Sequence, residues 1–194
     1  RVRWSTSVHS AEGDGASQLS AAVAANTTIE VFNEIPIKEM RADSLTELNL
    51  ARKHIGIAGC MVVARLLPAN TSLTSIDLSY NAMDADEAKA LAAAVAASAS
   101  LTSLNISNNK LGEQGVKPIC EALKENKTLK VLDLNACNIS GGKIGPLGAR
   151  YVAEMLGINA SLTRVSLEYN DLDEPSKKLL KDSVAHRPDF KLEL

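Results

Sequence analysis

A polar row, made of Asp77, Asn105 and Asp133, recurs at one position of successive segments. Paired carboxylates of this kind serve general acid–base catalysis or Ca²⁺ binding. On a sheet, Asp77 and Asp133 would lie two strands apart, about 9–10 Å, which is too far for shared ligation at about 2.3–2.6 Å. Inverting glycosidases use such a separation, but only around a pocket. The row therefore predicts hydrogen bonding along a sheet and no catalytic residue.

The glycine-rich stretch GGKIGPLG resembles a phosphate-binding loop only in composition. It lacks the GxxxxGK[ST] order, and Ile144 follows the lysine where Ser or Thr is needed. We predict a plain loop or a partner-contact loop. His9, His54 and His186 lie in different segments and none is followed by a second histidine at ligand spacing. The sequence therefore predicts no metal site and no cofactor.

Composition limits the function classes further. The net charge of −2 gives no basic field for nucleic acid or an anionic membrane. The uncharged run 90–109 contains several Ser, Thr and Asn residues, so membrane insertion is not expected. Three cysteines in no metal or redox spacing predict reduced thiols and an intracellular, cytoplasmic protein. The chain begins at Arg1, which favours a fragment, a processed chain or part of a larger assembly.

The elements that must position these residues are clearest in Leu101–Thr128. This stretch opens with the pattern LxxLxLxxNxL, which is typical of a short strand and its turn. It continues with Gly115, Ile119, Leu123 and Asn126 at helical spacing, and Leu129 restarts the pattern. Two periods followed by a restart indicate a repeat.

The same spacing divides the whole chain into one repeat domain, 1–194. We predict full repeats at 45–72, 73–100, 101–128, 129–161 and 162–189, with five extra residues forming a loop at 140–147. Residues 1–28 read as a degenerate repeat, 29–44 as a half repeat without a helix, and 190–194 as a terminal strand. Pro36 and the charged stretch after it leave little room for a helix in the half repeat.

Stacked strand–helix repeats must curve, because strands lie about 4.8 Å apart while packed helices need about 8–10 Å. The sequence therefore predicts an α/β solenoid, a right-handed βα horseshoe with a parallel sheet on the concave side and helices on the convex side. One position per repeat is predicted to form a structural ladder in which a buried side chain satisfies backbone groups at the turn. The ladder residues are Asn81, Asn109, Cys137 and Asn170, and Lys53 occupies this position in the first full repeat.

The segments LTELNL, LTSIDLSYNAM, LTSLNISNNKL, LKVLDLNACNI and LTRVSLEYNDL, each followed by a helix, resemble the ribonuclease-inhibitor-like subfamily of leucine-rich repeat proteins, including NLR-receptor-type repeats. That subfamily contains enzyme inhibitors, receptor sensor regions, Ran GTPase activators and tropomodulin-like actin cappers. The resemblance implies the horseshoe fold and action by protein–protein contact. It singles out no member and no partner.

The residues between the strand leucines should face the concave side. Tyr and Arg are frequent interface anchors, so the predicted partner-binding surface consists of Arg52, Tyr80, Asn108, Arg164, Glu168 and Tyr169. The sequence favours a non-catalytic module that binds a protein partner through this face or through the 140–147 loop. Two alternatives stay open: a regulator of a partner enzyme, of the GTPase-activator or inhibitor type, and a structural subunit of a large assembly.

Six N-x-S/T sequons are present, at Asn26, Asn70, Asn105, Asn126, Asn138 and Asn159. Four of them recur at one repeat position, where Asn ends the helix before the next strand. We therefore predict a helix-terminating role rather than glycosylation.

Overall fold

The computed structural model describes residues 3–4, 14–137 and 145–194. Strands and helices alternate along these residues, as the two sequence periods predict. The strands are β1 Arg3–Trp4, β2 Val31–Phe32, β3 Glu47–Asn49, β4 Ser75–Asp77, β5 Ser103–Asn105, β6 Val131–Asp133, β7 Arg164–Ser166 and β8 Lys191–Glu193. The helices are α1 Asp14–Ala25, α2 Ile37–Arg41, α3 Gly56–Leu66, α4 Ala85–Ala97, α5 Gly112–Lys124, α6 Gly145–Ile158 and α7 Glu174–Val184.

Strands β3 to β8 form one parallel six-stranded sheet in sequence order. Its register aligns one row of residues on successive strands, Asn49 with Asp77, Asp77 with Asn105, Asn105 with Asp133, Asp133 with Ser166 and Ser166 with Glu193. Helices α3 to α7 each pack on the next. This arrangement confirms the predicted α/β solenoid with a parallel sheet and flanking helices. The exact repeat boundaries stay a prediction.

The core is a continuous layer of Leu, Ile, Val and Ala side chains between sheet and helices. In α5, for example, Val116, Ile119, Cys120 and Leu123 are buried at helical spacing. They face the strand leucines Leu104 and Leu132, which are fully buried. No repeat has a second face to cover its own apolar side, so each is stabilised by its neighbours.

The segment 29–44 differs from the prediction. It contains a short helix, α2, with Pro36 at its N-cap position and with Ile37 and Met40 buried. The expectation of a half repeat without a helix was wrong, because proline is tolerated where a helix begins and is unfavourable only in its interior. The helix is too short to separate its neighbours, and α1 packs directly on α3.

A tight reversal accounts for the break in the sheet. Phe32 and Ile35 exchange two backbone hydrogen bonds around Asn33 and Glu34. Both turn residues have positive φ, 44° and 65°, as in a type I′ turn. Strand β2 consequently pairs with β1 in a separate two-stranded sheet and not with β3.

Candidate partner-binding surface

Five residues form a line that we call the loop rim: Arg52, Tyr80, Asn108, Ala136 and Tyr169. They follow strands β3 to β7 in turn, and each lies three residues after the last residue of its strand. All five have left-handed backbone, with φ from 49° at Ala136 to 60° at Tyr169. Because the conformation is the same in every repeat, it belongs to the turn and not to any one side chain.

Backbone hydrogen bonds hold the loop rim in place. The N–H groups of Arg52 and Tyr80 donate to the carbonyl oxygens of Ser79 and Ser107 at 3.0 and 3.2 Å. The N–H group of Asn108 donates to Asn135 O at 2.8 Å, and that of Ala136 donates to Glu168 O at 2.9 Å. Four of the five rim residues are therefore fixed by the next repeat, and Tyr169, in the last of these turns, shares their left-handed backbone conformation.

The loop rim carries two aromatic side chains, Tyr80 at its second position and Tyr169 at its last. The Arg52 guanidinium lies over the Tyr80 ring, 4.1 Å from its centroid, while 41% of Tyr80 stays exposed. Tyr169 is 78% exposed. Three strand spacings separate the two tyrosines, about 14 Å. The smaller side chains of Asn108 and Ala136 lie between the two tyrosines along the rim.

The polar row of the sheet has a local function. The Oδ1 atoms of Asp77, Asn105 and Asp133 accept the N–H groups of Ser79, Ser107 and Asn135, at 2.8–3.0 Å. Each residue thereby closes the turn that leads to the loop rim. The predicted hydrogen bonds thus run within each turn and not from strand to strand. Burial raises the pKa of Asp133 from its ordinary value.

Arg164 and Glu168 are placed differently from the other predicted binding residues. Arg164 lies on β7 and forms an ion pair with Glu193 at 2.8 Å. Glu193 also accepts a hydrogen bond from Ser166, and these two contacts lower its pKa. Glu168 precedes Tyr169 in the rim turn, and its N–H group donates to Asn135 Oδ1 at 2.7 Å.

Glu193 is a polar concave residue that the sequence reasoning missed. It extends the polar row by one strand, since β8 places it beside Ser166. The sequence did predict a terminal strand at 190–194. Aligning that strand with β7 would have placed Glu193 beside Ser166.

The residues predicted to form a ladder lie beneath the loop rim and are buried. Asn109 Nδ2 donates to the carbonyl oxygens of Leu78, Ile106 and Ser107, and its Oδ1 accepts the N–H groups of Asn81 and Met83. Asn81 and Asn170 make corresponding contacts to the preceding strand and to their own turn. One amide therefore joins two neighbouring repeats.

Cys137 occupies the same position with a thiol. Its Sγ donates to Ile106 O at 3.3 Å, matching one of the amide contacts. Burial raises the pKa of this thiol to about 12, while a hydrogen bond from the Asn109 N–H opposes the shift. Cys60 and Cys120 are likewise free and buried. Lys53 is exposed and makes none of the ladder contacts that Asn81 makes.

A second set of amides ends the helices. Asn126 Oδ1 accepts the N–H groups of Thr128 and Leu129, and Nδ2 donates to Val95 O. Asn159 repeats this pattern. Asn70, Asn126 and Asn159 are buried, whereas Asn26 is exposed. Three of these sequons thus have their amide nitrogen inside the fold, where a glycan has no room.

The predicted loop 140–147 and the histidines add no residues to the candidate surface. In the predicted loop 140–147, residues 140–144 lie outside the described residues, as does His9. The last three residues of the predicted loop, Gly145, Pro146 and Leu147, instead form the start of α6. Pro146 is tolerated there because the N–H groups of the first helical turn have no partner within the helix. Among the side chains described, no cluster of three His, Cys, Asp or Glu residues could hold a metal ion.

A groove of about 370 Å³ lies on the helix side, between α1, α3 and α4. Its lining includes Met61, Ala64, Arg65, Ala90 and Ala93, and the Arg65 side chain donates to Ser17 and Ser20. The groove therefore lies on the face opposite to the loop rim. None of the described helices is long and apolar enough to cross a membrane.

A profile of the leucine-rich repeat family matches residues 69–92, 97–120 and 125–153. These stretches fall on the amide-linked turns and helices described above. The chain therefore contains leucine-rich repeats. Comparison with curated protein sequences gives no match.

Many solved structures match this chain, and two of them show the shared fold. The leiomodin-1 actin-binding site 2 is 22% identical, with a TM-score of 0.66 over 76% of this chain and 84% of that one. The tropomodulin C-terminal domain of Caenorhabditis elegans is 16% identical, with a TM-score of 0.62 over 76% and 87%. At these identities the likeness concerns the fold of the leucine-rich repeat domain. The ribonuclease-inhibitor-like subtype expected from the sequence stays a prediction.

Proposed function

We propose that this leucine-rich repeat domain is a non-catalytic module that binds a protein partner through the loop rim. The observation that carries the proposal is the pair of exposed tyrosines, Tyr80 and Tyr169, which share the left-handed turn backbone of the rim; the backbone of Tyr80 is also held by the next repeat. A large ring on rigid backbone loses little conformational freedom on binding, which is why tyrosine is frequent at interface centres.

The geometry refines the predicted surface. The equivalent turn positions of Arg52, Tyr80, Asn108 and Tyr169, with Glu168 next to Tyr169, support a single binding surface. Arg164 forms an ion pair with Glu193. We therefore assign Arg164 the role of orienting Glu193 on the sheet rather than contacting the partner directly. The partner would bridge about 14 Å from one tyrosine to the other.

Actin is the first partner to test. The support is the fold shared with the leiomodin-1 actin-binding site 2. A regulator of a partner enzyme, or a structural subunit of an assembly, would use the same rim and would differ only in the molecule bound. With actin as the partner, the protein would act inside the cell.

The test is a titration of fluorescently labelled actin, both monomeric and filamentous, with the wild-type chain and the double variant Tyr80→Ala/Tyr169→Ala. Loss of two interface anchors of about 2 kcal/mol each should weaken binding at least about 100-fold. The matched control is Ile158→Ala/Leu179→Ala, which removes two exposed apolar side chains from the helix side. It should bind as the wild type does.

Three results are informative. Equal binding by the tyrosine double variant contradicts the loop-rim assignment. Weaker binding by the helix-side control alone moves the site to the convex face. Absence of binding by the wild type removes actin as the partner.

A further inference from the structure

Strand β8 is the last strand of the sheet, and the described residues place no strand on its outer side. The N–H group of Lys191 donates to Thr163 O, and the carbonyl oxygen of Glu193 accepts the Leu167 N–H. Because the backbone groups of successive strand residues point to opposite edges, the N–H and C=O of Leu192 face outward. Such an open edge is a site for pairing with another strand.

The side chains of this edge strand form two rows. Lys191 and Glu193 lie on the concave side with the polar row, since β8 is in register with β7. Phe190, Leu192 and Leu194 alternate with them and pack against the core, but each is only partly buried. The open edge therefore combines one charged row with one incompletely covered apolar row.

The sequence of the edge is complementary to itself when two copies run antiparallel about Leu192. Lys191 of each copy would lie opposite Glu193 of the other, and Leu192 opposite Leu192. The flanking Phe190 would lie opposite Leu194. Every position thus meets either the opposite charge or another apolar side chain, and cross-strand pairs of both kinds stabilise a sheet.

The backbone fits the same arrangement. With its N–H and C=O facing outward, Leu192 would exchange two hydrogen bonds with Leu192 of the second copy. The residues on either side would then form non-hydrogen-bonded pairs, in which Cα atoms lie about 4.5 Å apart and side chains are closest. Lys191 and Glu193 would therefore be within reach of an ion pair.

Glu193 is already oriented for this contact. Arg164 forms an ion pair with it at 2.8 Å, and the Ser166 hydroxyl donates to its Oε2. An ionised carboxylate offers about four acceptor sites on two oxygens, so it can also accept an ammonium group from a second copy. Lys191, which would supply that group, is exposed.

Other ways of covering the edge are disfavoured. Two copies of β8 in parallel register would place lysine opposite lysine and glutamate opposite glutamate, which is destabilising. An uncharged strand would leave both charged residues without a partner, and charges on an edge strand oppose such pairing. Head-to-tail addition of β3 would have to displace the segment before β3, whose Asn33 amide donates to Ile55 O.

We propose that the β8 edge is a homodimer interface, in which two copies of this chain pair antiparallel about Leu192 and form Lys191–Glu193 ion pairs across it. The two six-stranded sheets then join into one continuous sheet. The inference does not depend on what the loop rim binds. A dimer presents two loop rims, which raises the avidity for any partner with repeated sites.

Analytical ultracentrifugation and amide exchange of the wild-type chain, from about 1 µM to about 500 µM, test the interface. We expect a monomer–dimer equilibrium. The Leu192 amide should exchange more slowly as the dimer forms, whereas the Lys191 amide, which donates to Thr163 O within the chain, should be protected at every concentration. A monomer over the whole range, oligomers larger than a dimer, or equally fast exchange of Leu192 in monomer and dimer overturns the proposal.

Charge variants test the pairing itself. Lys191→Glu should weaken the dimer at least about tenfold, because two symmetric ion pairs become two like-charge pairs. Glu193→Lys should do the same. An equimolar mixture of the two variants should form a heterodimer, since opposite charges then face each other at both positions.

The matched control is Lys127→Glu, at an exposed residue after α5, which makes the same change in net charge away from β8. It should dimerise as the wild type does. Glu193→Lys also removes the ion pair with Arg164, so circular dichroism checks that each variant is folded, and the exposed Lys191→Glu is decisive without it. Unchanged association of Lys191→Glu, or a mixture of two folded variants that stays monomeric, contradicts the interface.

Discussion

Repeats are joined in two ways in this molecule. The interior amide junctions, Asn81, Asn109 and Asn170, use a buried neutral side chain that both donates and accepts. The boundary charged junctions, Arg41, Asp43 and Arg187, use longer or ionised side chains where the repeat spacing fails. Spacing accounts for the difference, because a short amide reaches its partners only when neighbouring turns are in register.

Each charged junction bonds to only one kind of backbone group, either carbonyl oxygens or N–H groups. Arg41 donates to the carbonyl oxygens of Val23, Ala24 and Ile29 across the half repeat. Arg187 donates to those of Asn159 and Leu162, and its guanidinium lies 4.5 Å from the Phe190 ring centroid.

Asp43 is the acceptor among the charged junctions. Its carboxylate accepts the N–H groups of Thr71 and Ser72. At the corresponding place in later repeats, Asn126 and Asn159 supply their own side-chain oxygen. Asn70 instead keeps its buried Oδ1 without a hydrogen-bond partner within the described structure.

The largest expected effect is at the centre of the interior. Asn109→Ala removes five hydrogen bonds and leaves buried carbonyl and N–H groups unpaired, so we expect the free energy of unfolding to fall by about 4 kcal/mol. Urea denaturation measures it. The neighbouring Asn108→Ala, whose amide lies on the rim, should cost less than about 1 kcal/mol. Similar losses in both variants would refute the distinction.

A boundary residue should matter less. Arg187→Met keeps the aliphatic stem but removes the guanidinium that donates to Asn159 and Leu162. The loss of charge-assisted hydrogen bonds should cost about 2 kcal/mol by the same measurement. Arg187→Lys keeps the charge without the fork and should recover only part of the loss. A cost as large as that of Asn109→Ala would contradict the prediction that a boundary junction contributes less stability than an interior one.

Much of this division was predictable from the sequence. The 28-residue spacing predicts where β3 to β6 lie, the 33-residue repeat 129–161 predicts β7, and the repeated Asn predicts which turns contain an amide. Helix α2 was not predictable, because in the sequence Pro36 suggests a helix break. Only the structure shows that Ile37 and Met40 are buried and form one face of a short helix that begins after Pro36. The Arg164–Glu193 pair depends on residues 29 positions apart, which no single repeat reveals.

Cys137 offers a smaller change that should strengthen the interior. Cys137→Asn gives the Asn109 N–H a stronger acceptor and restores an amide donor towards Ile106 O. We expect a gain of about 1 kcal/mol in unfolding free energy. Cys137→Ala, which has neither donor nor acceptor, should instead be destabilising. A loss of stability in Cys137→Asn would mean that the thiol position is too tight for an amide.

The smallest effect concerns pH at the first boundary. Hydrogen bonds from Thr71 and Ser72 lower the pKa of Asp43 below its unfolded value. A depressed carboxyl pKa contributes stability that is present above the unfolded pKa of about 3.9 and is lost as the pH falls through the folded value. Unfolding midpoints from pH 6 to pH 3 should therefore fall less in Asp43→Asn than in the wild type. Parallel profiles would exclude Asp43 as a titrating contact.

Native-state hydrogen exchange, residue by residue at pH 6, tests the central claim that the amide-joined interior is the rigid body presenting the loop rim. The amides of Asn81 and Cys137, which donate to Asn109 and Asn170, should exchange only through global unfolding. The amides of Thr71 and Ser72, held by Asp43, should exchange through local opening at a lower free energy. If Asn81 and Cys137 exchange as readily as Thr71 and Ser72, the account is contradicted.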